Sequence, residues 1–244
     1  MLNKPIWALT ASELCKKTKN NELSATEITV ACLEQTKKVN PQLNAIVDDM
    51  SDEAIKRAES LDSEVAAGKP KGRLFGVPVT VKINVDQKGY ATSNGVTALK
   101  NLIAKTNAPI VDHLMDAGAV FVGRTNTPEF SFRADTENPL YGRTNNPWGK
   151  HLSAGGSSGG ASSAVMAGMC SLAHGNDIGG SLRFPSVATG AVTLKPGLGR
   201  VPAWNSSQTS ERGILAQSMS VQGLITRSAY DLQLAMPEII QSDL

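Results

Sequence analysis

The chain has 244 residues, 41% of them hydrophobic, which is enough to bury a substantial core as one large domain. Its 24 basic and 22 acidic residues leave a net charge of +2, and no basic patch is interleaved with aromatics, which argues against nucleic acid as a partner. No stretch approaches a transmembrane span, and the first residues lack the apolar core of a signal peptide. Cys15, Cys32 and Cys170 fall outside any CxxC or Cys/His metal pattern, so reduced packing thiols in a cytoplasmic protein with no membrane partner are expected.

Residues 1–68 read as a helical segment. Thr10 with Glu13 and Ser24 with Glu27 match the capping-box pattern, in which side chain and backbone at a helix start satisfy each other's hydrogen bonds. The 51–67 run carries an apolar stripe at Ala54, Ala58, Leu61 and Val65 and is stopped at Gly68. After Gly68-Lys69-Pro70-Lys71-Gly72 the pattern becomes strands alternating with helices: a strand over 77–85, a helix over 107–117 opened by Pro109, and a strand over 119–123. That alternation predicts an α/β core over 72–244 with helices on both faces of a sheet. The polar run 202–218 reads as a surface loop of no evident function.

The chemistry concentrates in three places. Lys82 lies in a β-branched run, Gly76-Val77-Pro78-Val79-Thr80-Val81-Lys82-Ile83-Asn84-Val85, which reads as a strand buried on both faces. Burial disfavours an ammonium and converts such a lysine into a neutral amine able to accept a proton; alone, a lysine there is also compatible with a head group that snorkels to solvent. Further on come Gly155-Gly156-Ser157-Ser158-Gly159-Gly160 and Asp177-Ile178-Gly179-Gly180-Ser181-Leu182-Arg183, with Ser157 and Ser181 24 residues apart. Glycine lets successive N–H groups converge on one point, as an oxyanion hole requires, and serine supplies a nucleophile. The small, apolar stretch 161–173 suits a buried helix between the two runs. Among the histidines, His113 falls in a periodic helix, His151 in the loop before the first glycine run, and His174 only seven residues before Ser181 with no partner carboxylate marked for it. A lysine base is therefore preferred.

These residues resemble the amidase signature family, on the motifs GVPVTVKIN around Lys82, AGGSSGGASSAV around Ser157 and GNDIGGSLRFP around Ser181. The resemblance implies a mixed central sheet flanked by helices, and an amidase with a Ser-Ser-Lys triad: Lys82 as base, Ser157 as bridge following a cis peptide bond, and Ser181 as nucleophile. It also implies an oxyanion hole from the amides of Ile178, Gly179, Gly180 and Ser181, loop-organising roles for Asp177 and Arg183, a small-molecule amide substrate, and neither cofactor nor metal. The N-terminal helices would serve packing or homodimer contacts. Many relatives carry an acidic residue directly after the lysine, whereas here Ile83 and then Asn84 follow. The family domain continues for about as long again, so the resemblance implies an N-terminal portion. On that reading the pocket-forming half lies beyond residue 244, and the 244-residue chain is expected to be a poor catalyst.

Other readings are weaker. Gly155-Gly156-Ser157-Ser158-Gly159 also satisfies the G-x-S-x-G nucleophile elbow, but only His174 follows it, too soon for the acid and histidine of that fold. No Gly-Lys-Ser/Thr closes the glycine runs, as a phosphate-binding loop needs. Within the family, the amidase subunit of an aminoacyl-tRNA amidotransferase is the runner-up; the run 90–96 looks more like the free-standing amidases. A non-catalytic binding or packing copy is the third reading.

Overall fold

The computed structural model describes residues 4–240 apart from 209 and 212, so the 202–218 run lies partly outside the described residues. In chain order the elements are α1 (Ala11–Lys19), α2 (Ala25–Leu43), β1 (Ile46–Asp49), α3 (Ser51–Ala66), β2 (Pro78–Lys82), α4 (Pro109–Asp116) and β3 (Val120–Thr125). Four short strands follow, β4 (Glu137–Asn138), β5 (Gly142–Arg143), β6 (Asn145–Asn146) and β7 (Gly149–Ser153), pairing as two small hairpins. The rest comprises α5 (Gly159–Met166), β8 (Leu172–Asp177), α6 (Arg183–Thr189), β9 (Val192–Thr193), α7 (Ile214–Met219), β10 (Val221–Thr226) and α8 (Ala229–Ile239).

Six strands form one mixed sheet in the order β1-β3-β2-β8-β10-β9. β2 runs parallel to both β3 and β8, while β1, β10 and β9 are antiparallel to their neighbours. Side chains of a strand alternate between faces, and the core divides accordingly. Val79 and Val81 of β2, Phe121 of β3, Leu172 of β8 and Leu224 of β10 pack with α4 and α8 on one side. Val120 and Val122, Ala173 and Ile225 pack with α2, α3 and α5 on the other. The two-faced α/β architecture expected from the alternating pattern is what the chain adopts.

Several expectations need adjusting. The segment 1–68 is not purely helical, because Ile46–Asp49 pairs antiparallel with β3 and closes one edge of the sheet. β2 ends at Lys82, short of the expected 85, because the Val85 amide turns back to the Lys82 carbonyl at 3.1 Å. The buried helix between the glycine runs stops at Met166, where Gly168 at φ +78° reverses the chain toward β8. Both capping boxes form as the sequence predicts, Thr10 with Glu13 and Ser24 with Glu27.

The two ends of the described chain are stitched together. The Ser12 amide and hydroxyl both donate to Asp231 Oδ1 at 2.8 and 2.7 Å, so a residue of α8 caps the first turn of α1. Arg227 donates to the carbonyls of Val165 and Cys170 at 2.8 and 2.9 Å and to that of Leu9.

Candidate active site

The site sits where β2 and β8 end beside the N-terminus of α5. Thr80 meets Cys170 at 3.5 Å on the α5 side of the sheet, and Lys82, two residues on, shares that face. The approach of α5 needs a residue without a side chain: a Cβ on Gly160 would stand 2.5 Å from the Asn126 backbone nitrogen. At the mouth of the loop Gly155 holds φ +76°, and a Cβ there would lie 2.5 Å from Pro185 Cα. These close approaches set the serines of the first glycine run over the end of β2. The peptide bond between Gly156 and Ser157 is cis.

Lys82 is completely buried. Its Nζ lies 2.7 Å from Ser157 Oγ, 2.9 Å from Asn176 Oδ1 and 3.2 Å from Ser158 Oγ. Desolvation holds its pKa well below the ordinary lysine value, partly offset by the negative charge of Asp177. The Ser158 hydroxyl donates in turn to the Asn176 carbonyl at 3.4 Å. Asn176 and Asn84 exchange side-chain hydrogen bonds, Nδ2 to Oδ1 at 3.0 Å one way and 3.2 Å the other. Asn84 also donates to Ser131 Oγ at 2.9 Å, and Ser131 donates to Asn94 Oδ1 at 2.7 Å.

Ser181 lies half-buried on the wall of the same cavity as Ser157. Its carbonyl accepts from the Ser158 amide at 3.3 Å, which ties the two serine loops together. Its hydroxyl makes no hydrogen bond among the described residues, so the Ser157–Ser181 contact is open in this state. Asp177 is buried and organises the second loop. It accepts from the amides of Gly180 at 2.8 Å and Leu182 at 3.1 Å and from Arg183 Nε and NH2 at 3.0 and 2.9 Å. The Gly180 amide is thus occupied by Asp177, while those of Ile178, Gly179 and Ser181 engage no acceptor among the described residues. The cavity measures about 690 Å³. Phe130, Phe132, Phe184 and Ile178 line it, all substantially exposed. Phe130 and Ser131 both take left-handed backbone angles, φ 52° and 58°.

The histidines stand apart from this chemistry. His151 is exposed on β7 and His113 lies on α4. His174 is buried with both ring nitrogens engaged: Nδ1 accepts the Lys82 amide at 3.4 Å and Nε2 faces Gln222 Oε1 at 2.7 Å. Desolvation lowers its pKa to about 4, so it is neutral. Sequence reasoning missed Ser158, Asn176 and Ser131 as partners of the site, while Asn84, marked there as a departure that alters the hydrogen bonding around the base, reaches Lys82 through Asn176. Asn176 lay inside a quoted motif, but an uncharged amide carries no signal of its own. Among the described residues no group of His, Cys, Asp and Glu is arranged to hold a metal ion, and no helix is long and apolar enough to cross a membrane.

The model of the amidase family matches residues 27–244. Over 239 residues the chain is 49% identical to an indoleacetamide hydrolase of Bradyrhizobium diazoefficiens, covering 98% of this chain and 46% of that protein. It is 41% identical over 194 residues to an acylamidase of Rhodococcus erythropolis, covering 80% of this chain and 41% of the relative. The crystal structure of a bacterial aryl acylamidase of the amidase signature enzymes superimposes with a TM-score of 0.90 at 31% identity, covering 98% of this chain and 49% of the other. The chain spans about half the length of the curated relatives it matches.

Proposed function

This chain belongs to the amidase signature family, and on that premise we propose that the protein hydrolyses a carboxylic amide through an acyl-enzyme on Ser181, with Ser157 as proton bridge and Lys82 as base. The observation that carries the reading is the 2.7 Å contact between Lys82 Nζ and Ser157 Oγ in a fully buried setting, beside a cavity shared with Ser181.

The hydrogen bonds around Nζ suit a neutral amine, which has two N–H donors and one lone pair. Asn176 Oδ1 is an acceptor only. Ser158 spends its proton on the Asn176 carbonyl and so accepts from Nζ. Those two bonds use both N–H groups, leaving the lone pair to receive the Ser157 proton. Ser157 Oγ in turn has lone pairs to take the proton of Ser181 as the Ser181 oxygen attacks the amide carbon. The carbonyl oxygen becomes an oxyanion facing the amides of Ile178, Gly179 and Ser181, where preorganised donors stabilise developing charge. In this account the fourth amide of the expected hole, Gly180, is committed to Asp177. As the tetrahedral adduct collapses, the C–N bond breaks and the leaving nitrogen takes a proton from Ser157, which is replenished from the Lys82 ammonium. Water then attacks the ester by the same relay, releasing the acid. The phenylalanine-lined cavity favours amides carrying an aromatic or large apolar group, as the names of the indoleacetamide and aryl relatives do for those proteins.

A fluorophosphonate probe tests this directly. Peptide mapping should find the adduct on Ser181, and Ser181→Ala should abolish it. An adduct on Ser157 would make that serine the nucleophile and overturn the assignment.

A further inference from the structure

The Lys82 amine is surrounded by more polar order than a relay of three side chains needs. Ser131 spends its proton on Asn94 Oδ1 and therefore presents a lone pair to Asn84 Nδ2. With its amide nitrogen so directed, Asn84 turns its oxygen to Asn176 Nδ2, and Asn176 is left with Oδ1 toward Nζ. Each bond fixes the sense of the next, from the cavity wall at Ser131 to the base. We propose that Asn176, held by Asn84, is a positioning residue that aims the Lys82 lone pair at Ser157 through an acceptor bearing no charge.

The inference rests on the reading of Lys82 as the base. An acceptor at 2.9 Å from Nζ is needed to orient the amine, but a carboxylate there would stabilise the ammonium and withdraw the lone pair. Asn176 gives the orientation without that cost. The charged and titratable groups near Lys82 leave room for this role. On β8, Asp177 raises the affinity of Lys82 for a proton, and His174 is neutral with both nitrogens engaged. On β3, buried Arg124 is paired with Asp48 of β1 at 3.0 Å. Asp86, beyond the end of β2, is enclosed by Thr92, Ser206 and Ser207. At the N-cap of α5, Ser158 brings an uncharged hydroxyl to Nζ.

The test replaces the amide by a carboxylate of the same shape, Asn176→Asp, and reads two quantities. The first is the pH titration of the Lys82 Cε signal in protein labelled with ¹³C-lysine, assigned by its absence in Lys82→Met. The second is the rate at which a fluorophosphonate labels Ser181, as a function of pH. A carboxylate close to the amine raises a lysine pKa by about 1–3 units, so both midpoints should move up by that amount. Labelling at pH 7 should then fall by about 10- to 10³-fold. Asn84→Ala, which frees Asn176 to turn, should slow labelling by up to about 10²-fold with the Lys82 titration little changed. A Lys82 midpoint unmoved in folded Asn176→Asp overturns the positioning role. Should that variant not fold, Asn84→Asp carries the charge one amide further away and must produce a smaller upward shift; no shift there also overturns it. If Ser181 never labels in the unaltered protein while the Lys82 titration responds as expected, the proposed nucleophile fails and the positioning contact stands.

Discussion

Asp177 grips Arg183 through two hydrogen bonds, Nε to Oδ2 at 3.0 Å and NH2 to Oδ1 at 2.9 Å, with the carboxylate buried and the guanidinium half in solvent. The same carboxylate also holds the amides of Gly180 and Leu182 on either side of Ser181. The two partners are therefore unequal. Asp177→Asn should cost about 1.5–3 kcal/mol, because hydrogen bonds to a buried charge are lost. Arg183→Ala should cost about 1 kcal/mol or less, since solvent screens an exposed partner. Urea unfolding of both variants measures the contrast, and a larger loss in Arg183→Ala would contradict it.

Stability should fall in acid. Burial alone would raise the carboxyl pKa of Asp177 and of Asp86, but hydrogen bonds outweigh it in both, from Arg183 and the loop amides for Asp177 and from Ser207, Thr92 and Ser206 for Asp86. A carboxyl pKa lower in the folded than in the unfolded chain contributes stability that is complete above the unfolded value of about 4. It is lost as pH falls through the folded value. Urea midpoints measured from pH 7 down to pH 3 should decline steeply below about pH 4, and Asp86→Asn should flatten that decline.

Lys82 supplies a slope of the same sign at higher pH. Its pKa is depressed by burial, so the unfolded chain binds the proton more tightly and the lysine's contribution to stability improves as pH rises toward about 10. Labelling of Ser181 should likewise rise with pH through the depressed lysine pKa. Lys82→Ala should slow it by about 10²–10⁴ and remove that limb of the profile. The same profile in Lys82→Ala would take the lysine out of the mechanism.

Arg124 should be among the costliest residues to remove. It is fully buried, pairs with Asp48 at 3.0 Å and donates to the carbonyls of Ala91 and Val85 at 2.7 and 2.9 Å. Arg124→Met leaves the carboxylate and both carbonyls without their donor and should cost about 3–5 kcal/mol by urea unfolding.

Gly160→Ala should destabilise by about 1–3 kcal/mol, because the added methyl would meet the Asn126 backbone nitrogen and oxygen at 2.5 and 2.6 Å. Thermal melting reads the loss. Gly179→Ala, where a Cβ meets nothing within 4 Å, is the matched control and should melt near the unaltered protein.

Legibility in the sequence followed the strength of local signals. The β-branched run around Lys82 announced a buried strand, the capping residues announced α1 and α2, and the glycine runs announced tight loops that carry the serines. β1 was not visible, because Ile46-Val47-Asp48-Asp49 is short, half-charged and set between two helices; only its pairing with β3 makes it a strand. The expected line of Ile178, Gly179, Gly180 and Ser181 amides was drawn from motif position. That Asp177 occupies the Gly180 amide depends on where a side chain folds back. The Asn84–Asn176 pair was hidden for a related reason: its members are 92 positions apart in sequence, and neutral amides have no periodicity to betray a partner.

The stitching of Ser12 to Asp231 spans 219 positions of sequence, and Arg227 reaches back almost as far to Leu9. On a ribosome adding about 5–20 residues per second, the N-terminal helix would emerge and then wait roughly 10–40 s for the residues that cap and anchor it. During that interval the apolar side of α1, with Ala11 and Leu14 destined for burial, has no complete surface to settle on. A helix made more than 200 positions before its partners is in this sense among the last to be placed, and a nascent chain stalled before residue 227 would present it to whatever chaperone is at hand.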